Sequence, residues 1–106
     1  MHALAVHPGG IWTGLQKHDG PAQIAQVREN ETLKKLEKSV EQGAATSVWA
    51  AVGKVWEGKG GVYLEDVREG VEVEEVDLVK GGFKKWAVDK EAAERLWGWS
   101  CGEVGV

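Results

Sequence analysis

The sequence predicts an α/β fold in which two short parallel strands alternate with at least three helices. Short apolar runs next to glycine turns, at residues 3–6 and 62–64, predict the strands, and apolar residues at helical spacing predict the helices. This order is typical of βαβ units with a parallel sheet. Because two strands are too few for an independent sheet, residues 1–106 are expected to form one partial domain with an incomplete sheet.

The first strand and the helices after it follow from local composition. Residues 3–6 (ALAV) are apolar and run into the turn sequence HPGG at 7–10. Residues 14–21 contain two glycines and a proline, which predicts a loop. Apolar residues recur at helical spacing over 24–36, which predicts one irregular helix or two short ones interrupted near Asn30.

The next helix has both a start signal and an apolar stripe. Ser39, followed three residues later by Gln42, has the form of a capping box. Gly53 or Gly58 would end the helix. The predicted buried face consists of apolar residues at every fourth position: Val40, Ala44, Val48, Val52 and Trp56.

The C-terminal part contains the second strand and the last helix. Residues 60–64 (GGVYL) predict a glycine turn and a strand, and 80–88 a glycine-led connector. The acidic segment 69–79 fits either an exposed hairpin arm or a solvated loop, and we favour the loop. Asp89 is a suitable N-cap for the last helix.

The chain has six tryptophans, a large aromatic content for 106 residues. Three fall on apolar helix faces and are predicted core residues: Trp49, Trp56 and Trp97. The other three are expected to line a substrate pocket or to fill an interface: Trp12, Trp86 and Trp99.

Charge and composition exclude several classes of function. A net charge of -4 with scattered basic residues argues against a nucleic-acid partner. The single cysteine, Cys101, excludes an internal disulfide framework and fits a reducing compartment, so we expect a cytoplasmic protein. No apolar run approaches the roughly 20 residues of a membrane span. The three histidines and the acidic segment match no metal-binding motif, and no metal is expected.

Four segments, in order along the chain, resemble the C-terminal part of the short-chain dehydrogenase/reductase family, in particular its retinol-dehydrogenase-like branch. Residues 6–13 (VHPGGIWT) are similar to the family's Pro-Gly-x-x-x-Thr motif. The late helix, last strand and closing helix of the family are similar to 41–49 (EQGAATSVW), 60–66 (GGVYLED) and 91–97 (EAAERLW). The resemblance implies the C-terminal portion of a Rossmann-like, doubly wound fold.

The resemblance also implies NAD or NADP as cofactor. In the family the Pro-Gly turn lies at the carboxyl end of a strand beside the nicotinamide, where open α/β sheets bind ligands. By position, Pro8 and Gly9 would shape this turn, while the backbone around Ile11 and the Thr13 hydroxyl would contact the carboxamide. On its own, the segment 8–10 fits equally well a turn that only ends a strand.

The family's catalytic and phosphate-binding motifs do not occur in this sequence. No glycine-rich fingerprint opens a βαβ unit. The only tyrosine, Tyr63, has Val67 where the family's Tyr-x-x-x-Lys requires lysine. No catalytic residue is therefore assigned, and the chain alone is expected to be inactive in alcohol–carbonyl oxidoreduction and to hold the cofactor poorly. The alternative is a non-catalytic module that docks onto a full-length homologue or associates with itself.

Overall fold

The computed structural model describes residues 2–106, which contain four α-helices and five short strands. The helices are α1 (Pro21–Glu29), α2 (Glu31–Leu36), α3 (Val40–Val52) and α4 (Lys90–Val104). The strands are β1 (Leu4–His7), β2 (Gly10–Ile11), β3 (Glu37–Lys38), β4 (Val62–Glu65) and β5 (Arg68–Glu69). Short 3₁₀ helices occupy Gly14–His18, Lys54–Trp56 and Lys85–Val88. The chain forms two compact units, an N-terminal unit up to Gly70 and a C-terminal unit, Val71–Val106.

The N-terminal unit contains the sheet that the sequence predicts. β1 and β4 are parallel neighbours, in register from Leu4 opposite Val62 to His7 opposite Glu65. β5 pairs antiparallel with β4, and a second small sheet pairs β2 with β3 in parallel. The predicted class is confirmed: an α/β structure with the predicted parallel strands β1 and β4, four α-helices and, within residues 2–106, an incomplete sheet. The second parallel pair, β2 with β3, and the strand β5 were not predicted.

Polar capping residues mark the helix boundaries at Asn30, where the sequence predicts an interruption, and at Ser39, a predicted cap. Asn30 separates α1 from α2, and its side-chain oxygen accepts hydrogen bonds from the N–H groups of Thr32 and Leu33. Ser39 and Gln42 form the predicted reciprocal capping box, with hydrogen bonds of 3.2 and 2.9 Å, and α3 ends at Gly53. The interruption near Asn30 and both ends of α3 are therefore confirmed.

The prediction of a loop over 14–21 is wrong for its first part. Residues Gly14–His18 form a 3₁₀ helix, because Thr13 and Gln16 cap its first turn reciprocally. α1 then begins at Pro21, whose missing N–H and fixed φ suit the first position of a helix.

The predicted buried face of α3 is wrong for its valines and for Ala44, which are exposed, whereas Trp56 at the end of the stripe is buried as predicted. The residues that α3 buries are Gly43 and Thr46. The valine stripe is exposed, Val52 to 75%. A Cβ on Gly43 would lie 2.5 Å from Cδ1 of Ile11, so the sheet-facing side of α3 needs its smallest residue at that contact. Close packing has therefore selected a face of small residues over the face with the larger apolar side chains.

The tryptophans do not divide into buried and exposed residues as predicted. Trp56 is buried, although it lies in the 3₁₀ helix after α3, and its ring packs edge-on against Trp49 with ring centroids 4.8 Å apart. Trp97, predicted as core, is 73% exposed. The C-terminal unit contains only isolated β-bridges in place of a strand ladder, so it offers no sheet face to cover this side chain. Trp86 and Trp99 are exposed as well.

The acidic segment 69–79 is largely irregular, as favoured by the sequence. Only its first residue, Glu69, belongs to a strand, and two isolated bridges follow, between Glu72 and Phe83 and between Asp77 and Gly81. Among residues 2–106, no helix has the length and apolar character required to cross a lipid bilayer.

Candidate functional site

The candidate site begins with the turn at the carboxyl end of β1. Gly9 has a φ of +91°, a conformation that side chains with a Cβ rarely adopt. A Cβ at Gly9 would also lie 2.8 Å from Cδ of Lys38. Glycine is thus favoured at this position by the backbone conformation, while the flexible end of Lys38 fills the space beside it.

Ile11 and Thr13 continue the same segment. The Ile11 side chain packs on Gly43, and its carbonyl accepts a hydrogen bond of 3.1 Å from Nε2 of Gln16. The Thr13 N–H donates to Oε1 of Gln16 at 2.8 Å, and the Thr13 hydroxyl accepts from the N–H of Leu15 at 3.2 Å. The structure therefore places Pro8, Gly9, Ile11 and Thr13 in one continuous segment, in which Ile11 belongs to β2 and Gln16 braces the part from Ile11 to Thr13.

A charged pair joins this turn to the turn between β4 and β5. The ammonium group of Lys38 donates a hydrogen bond to Oδ1 of Asp66, while its aliphatic part lies against Gly9. The hydrogen bond from Lys38 lowers the pKa of Asp66, and the positive charges of Lys38, Arg68 and His7 lower it further. The pair links the end of β3 to the turn that follows β4, beside the edge where a parallel sheet binds its ligands.

A buried carboxylate lies next to this pair. Glu65 is 4% exposed and accepts hydrogen bonds from the Tyr63 hydroxyl at 3.3 Å and from Arg68 at 3.4 Å. Partial burial raises the pKa of Tyr63, and the Glu65 carboxylate raises it further. Tyr63 therefore stays protonated and donates to Glu65.

The turn between β4 and β5 has an unusual backbone. Asp66 and Val67 both have positive φ, +49° and +56°, and this is unfavourable for a β-branched residue such as Val67. The Val67 N–H donates a 3.0 Å hydrogen bond to Oγ1 of Thr46, which is buried in α3. Thr46 thus anchors the strained turn to the helix.

The sequence prediction missed these stabilising residues for a simple reason. Lys38 and Asp66 lie 28 residues apart, and Thr46 and Val67 lie 21 residues apart. No local spacing relates them. The signal that was available is the position of Asp66 and Val67 directly after a strand, where hairpin turns occur.

A cleft adjoins the candidate turn through Trp12, which lies between Ile11 and Thr13. Its volume is about 550 Å³, and it is lined by Trp12, Val27, Arg28, Leu33, Lys34 and Glu37. The Arg28 guanidinium lies 5.0 Å from the Trp12 ring centroid, within the range of a cation–π contact. Across residues 2–106, no group of three or more His, Cys, Asp or Glu side chains is placed to hold a metal ion.

Comparisons with known proteins reveal relatives over almost the whole chain. It is 47% identical over 97 residues to the short-chain dehydrogenase/reductase prx1 of Penicillium rubens, covering 92% of this chain and 28% of that protein. It is 40% identical over 112 residues to the oxidoreductase calI of Penicillium decumbens, covering 100% of this chain and 32% of that protein. It is 33% identical over 102 residues to polyprenol dehydrogenase of Danio rerio, covering 96% of this chain and 28% of that protein.

These alignments also limit what the chain represents. The chain spans less than a third of the length of the fungal and fish relatives, and it matches their C-terminal part. No family model matches the sequence. No solved structure matches it either.

Proposed function

This chain belongs, by its match to their C-terminal part, to the short-chain dehydrogenases/reductases, and from that premise we propose that it supplies the nicotinamide-facing turn of an NAD(P)-dependent alcohol–carbonyl oxidoreductase. The observation that supports this proposal is the conformation and position of Gly9. Gly9 has a left-handed φ and lies two residues after the parallel strand β1, at the sheet edge where ligands of α/β folds bind. When bound, the cofactor supplies or accepts the hydride.

The proposed roles of the turn residues are positional. Pro8 and Gly9 hold the backbone in a form that allows a planar ring to come close. The Thr13 hydroxyl is exposed and reaches Oε1 of Gln16 only over 3.4 Å, so it can rotate to donate to a carboxamide oxygen. The backbone around Ile11 is proposed to complete the carboxamide contacts.

Lys38 is proposed to control access to the turn. Its Cδ, Cε and Nζ atoms lie within 2.9 Å of the place where a Cβ on Gly9 would be. These are the flexible end of a long side chain, and a planar ring can take their place if the ammonium group moves toward solvent.

We propose that the 106 residues alone do not catalyse hydride transfer. Neither a Tyr-x-x-x-Lys motif nor a glycine-rich fingerprint occurs in the sequence. The proton donor and the pyrophosphate contacts would then come from a separate polypeptide segment, one that corresponds to the part of the relatives that this chain does not match. The cytoplasm is the proposed location, because the single cysteine fits a reducing compartment.

Reconstitution tests this proposal. The 106-residue protein is mixed with the Penicillium rubens relative truncated before the matched segment, and NADH or NADPH oxidation is followed with a panel of carbonyl compounds. We expect no turnover from either part alone and turnover from the mixture. Turnover by the 106-residue protein alone, or an inactive mixture of two folded parts, would contradict the proposal.

Two glycine variants test the role of the turn. Gly9→Ala is expected to lower the rate of the reconstituted enzyme about tenfold, because the displaced backbone no longer meets the ring. Gly58→Ala is the matched control: Gly58 also has a left-handed φ, +73°, but open space surrounds the position of its Cβ. Equal losses from the two variants would indicate backbone strain alone and would rule out a special role for Gly9.

A second candidate function is non-catalytic docking onto a full-length homologue. The exposed valines of α3, Val40, Val48 and Val52, support it, because they leave an apolar strip on the helix side away from the sheet. A tagged 106-residue protein is expected to capture a purified full-length relative, and Val48→Lys is expected to abolish capture. Val104→Lys, at an exposed valine of α4, is the control. A monodisperse monomer that captures no relative would contradict docking and self-association.

A further inference from the structure

We propose that the cleft beside Trp12 binds a monocarboxylate with an apolar body, and that Arg28 is the residue that recognises the carboxylate. This inference rests on the proposed function, since it assigns a substrate class, a hydroxy or oxo acid, to the site next to the nicotinamide-facing turn. The inference depends on three features of the cleft: the residues that line it, the ion-pair partners of its charged residues, and its place next to the candidate turn.

The cleft has the character of a small-molecule site. Its volume of about 550 Å³ lies within the roughly 300–1,000 Å³ typical of ligand pockets. Three lining residues are apolar, Trp12, Val27 and Leu33, and these can cover an aliphatic or aromatic body. The charged lining residues can then fix the polar end of the same molecule.

Arg28 is the cation that is available to a ligand. Its guanidinium lies over the Trp12 ring, 5.0 Å from the centroid. The ion pairs found among residues 2–106 do not involve Arg28. A guanidinium stacked on an aromatic face keeps its N–H groups free at the edge, where they can donate two parallel hydrogen bonds to a carboxylate.

The other two charged residues restrict the ligand to one negative charge. The Lys34 ammonium is occupied by an ion pair with Glu31, with an N···O distance of 2.6 Å. Glu37 adds a carboxylate to the lining and disfavours a second anionic group. A monoanion with an apolar body is therefore favoured over a phosphate, a dicarboxylate or an uncharged alcohol.

The position of the cleft links this binding to the candidate site. Trp12 lies between Ile11 and Thr13 in the chain, the two residues assigned to the carboxamide. The segment that carries these two residues therefore also supplies one wall of the cleft.

Calorimetry with octanoate and 1-octanol tests the inference on the 106-residue protein, without cofactor and at low salt. We expect octanoate to bind about tenfold more tightly than 1-octanol, because only the acid pairs with Arg28. Arg28→Gln is expected to weaken octanoate binding about tenfold and to leave 1-octanol binding unchanged. Glu37→Gln is expected to strengthen octanoate binding about twofold, because it removes a nearby negative charge.

The matched control is Arg95→Gln, which removes the same charge from an exposed position on α4. Arg28→Lys keeps the charge without the planar fork and is expected to give an intermediate affinity. The indole N–H signal of Trp12 locates the ligand by NMR and is expected to shift more than that of the exposed Trp97. Equal binding of acid and alcohol, equal effects of Arg28→Gln and Arg95→Gln, or a larger shift at Trp97 would each overturn the assignment.

The two proposals can fail separately. A reconstituted enzyme that turns over carbonyl compounds while octanoate fails to bind would refute only the carboxylate site. Octanoate binding that depends on Arg28, together with an inactive reconstituted mixture, would refute the proposed function and leave the carboxylate site in place.

Discussion

The two compact units differ in how their structure is held. The N-terminal unit buries large side chains, including Leu64 at 0% exposure and Trp56 at 7%. In the C-terminal unit, Val71–Val106, only Gly82 is buried. Yet this unit contains the longest helix, with Asp89 at its start and Gly105 in the left-handed conformation at its end. Capping residues are therefore enough to define where a helix begins and ends, whereas resistance to unfolding comes from the side chains that are buried.

The largest expected effect is at the core of the N-terminal unit. Leu64→Ala should lower the free energy of unfolding by about 3 kcal/mol, because it leaves a cavity at a fully buried position of β4. Leu96→Ala, at an exposed position of α4, should cost less than about 0.5 kcal/mol. Urea denaturation measures both variants. Similar losses of unfolding free energy in the two variants would show that the two units do not differ in the stabilising effect of buried side chains.

The second test concerns a polar contact inside the N-terminal unit, the hydrogen bond from the Val67 N–H to Thr46. Thr46→Val should lower the free energy of unfolding by about 1–2 kcal/mol, because the Val67 N–H loses its acceptor in a turn that is already strained. The control is Thr32→Val, at an exposed position of α2. A loss no larger than that of the control would show that the turn does not depend on Thr46.

The C-terminal unit is tested through its helix cap. Asp89→Ala should cost about 1 kcal/mol of α4 stability, because the Asp89 carboxylate accepts a 2.9 Å hydrogen bond from the N–H of Ala92. Amide hydrogen exchange along α4 should become faster, whereas Asp19→Ala should leave it unchanged. If Asp89→Ala leaves exchange unaltered, α4 is held by something other than its cap.

The smallest expected effect depends on pH. The pKa of Asp66 is lowered by its hydrogen bond with Lys38, so it lies below the unfolded value of 3.8. The pair therefore stabilises the folded state above that value, and its contribution disappears as the pH falls through the folded pKa. Since half of the Asp66 side chain is exposed to solvent, we expect less than about 1 kcal/mol.

A lysine variant measures this contribution. The difference in urea midpoint between the unaltered chain and Lys38→Met should be present at pH 6 and should decrease as the pH falls below 3.8. Lys34→Met removes the exposed pair with Glu31 and serves as control. A difference that persists unchanged at low pH would show that the Asp66 carboxylate is not the source of the effect.

Sequence patterns predicted the features that depend on neighbouring residues. Ser39 and Asp89 accept hydrogen bonds from N–H groups three residues further on, so local sequence was enough to place two helix starts. For Asn30 it predicted only an interruption between helical segments, where a cap of α2 is found. The βαβ order predicted the parallel pairing of β1 and β4 for a similar reason, since strands separated by helices favour that arrangement.

Contacts between distant segments were not predictable in the same way. The buried face of α3 depends on the contact of Gly43 with Ile11, which no pattern within the helix contains. The Lys38–Asp66 pair also joins two distant segments, β3 and the turn between β4 and β5. For the candidate site, Pro8, Gly9, Ile11 and Thr13 lie within six residues, so their proximity followed from the sequence, and their role toward a cofactor stays a prediction.

The parallel pairing of β1 with β4 has a consequence for the order of folding. The 54 residues 8–61 separate the two strands along the chain, whereas β4 and β5 are joined by the two-residue turn at Asp66 and Val67. Closing a long loop costs more chain entropy than closing a short one, and contacts between distant residues form slowly. We therefore expect the hairpin to form early and β1 to dock late, so that the turn at Gly9 is among the last parts of the N-terminal unit to become ordered.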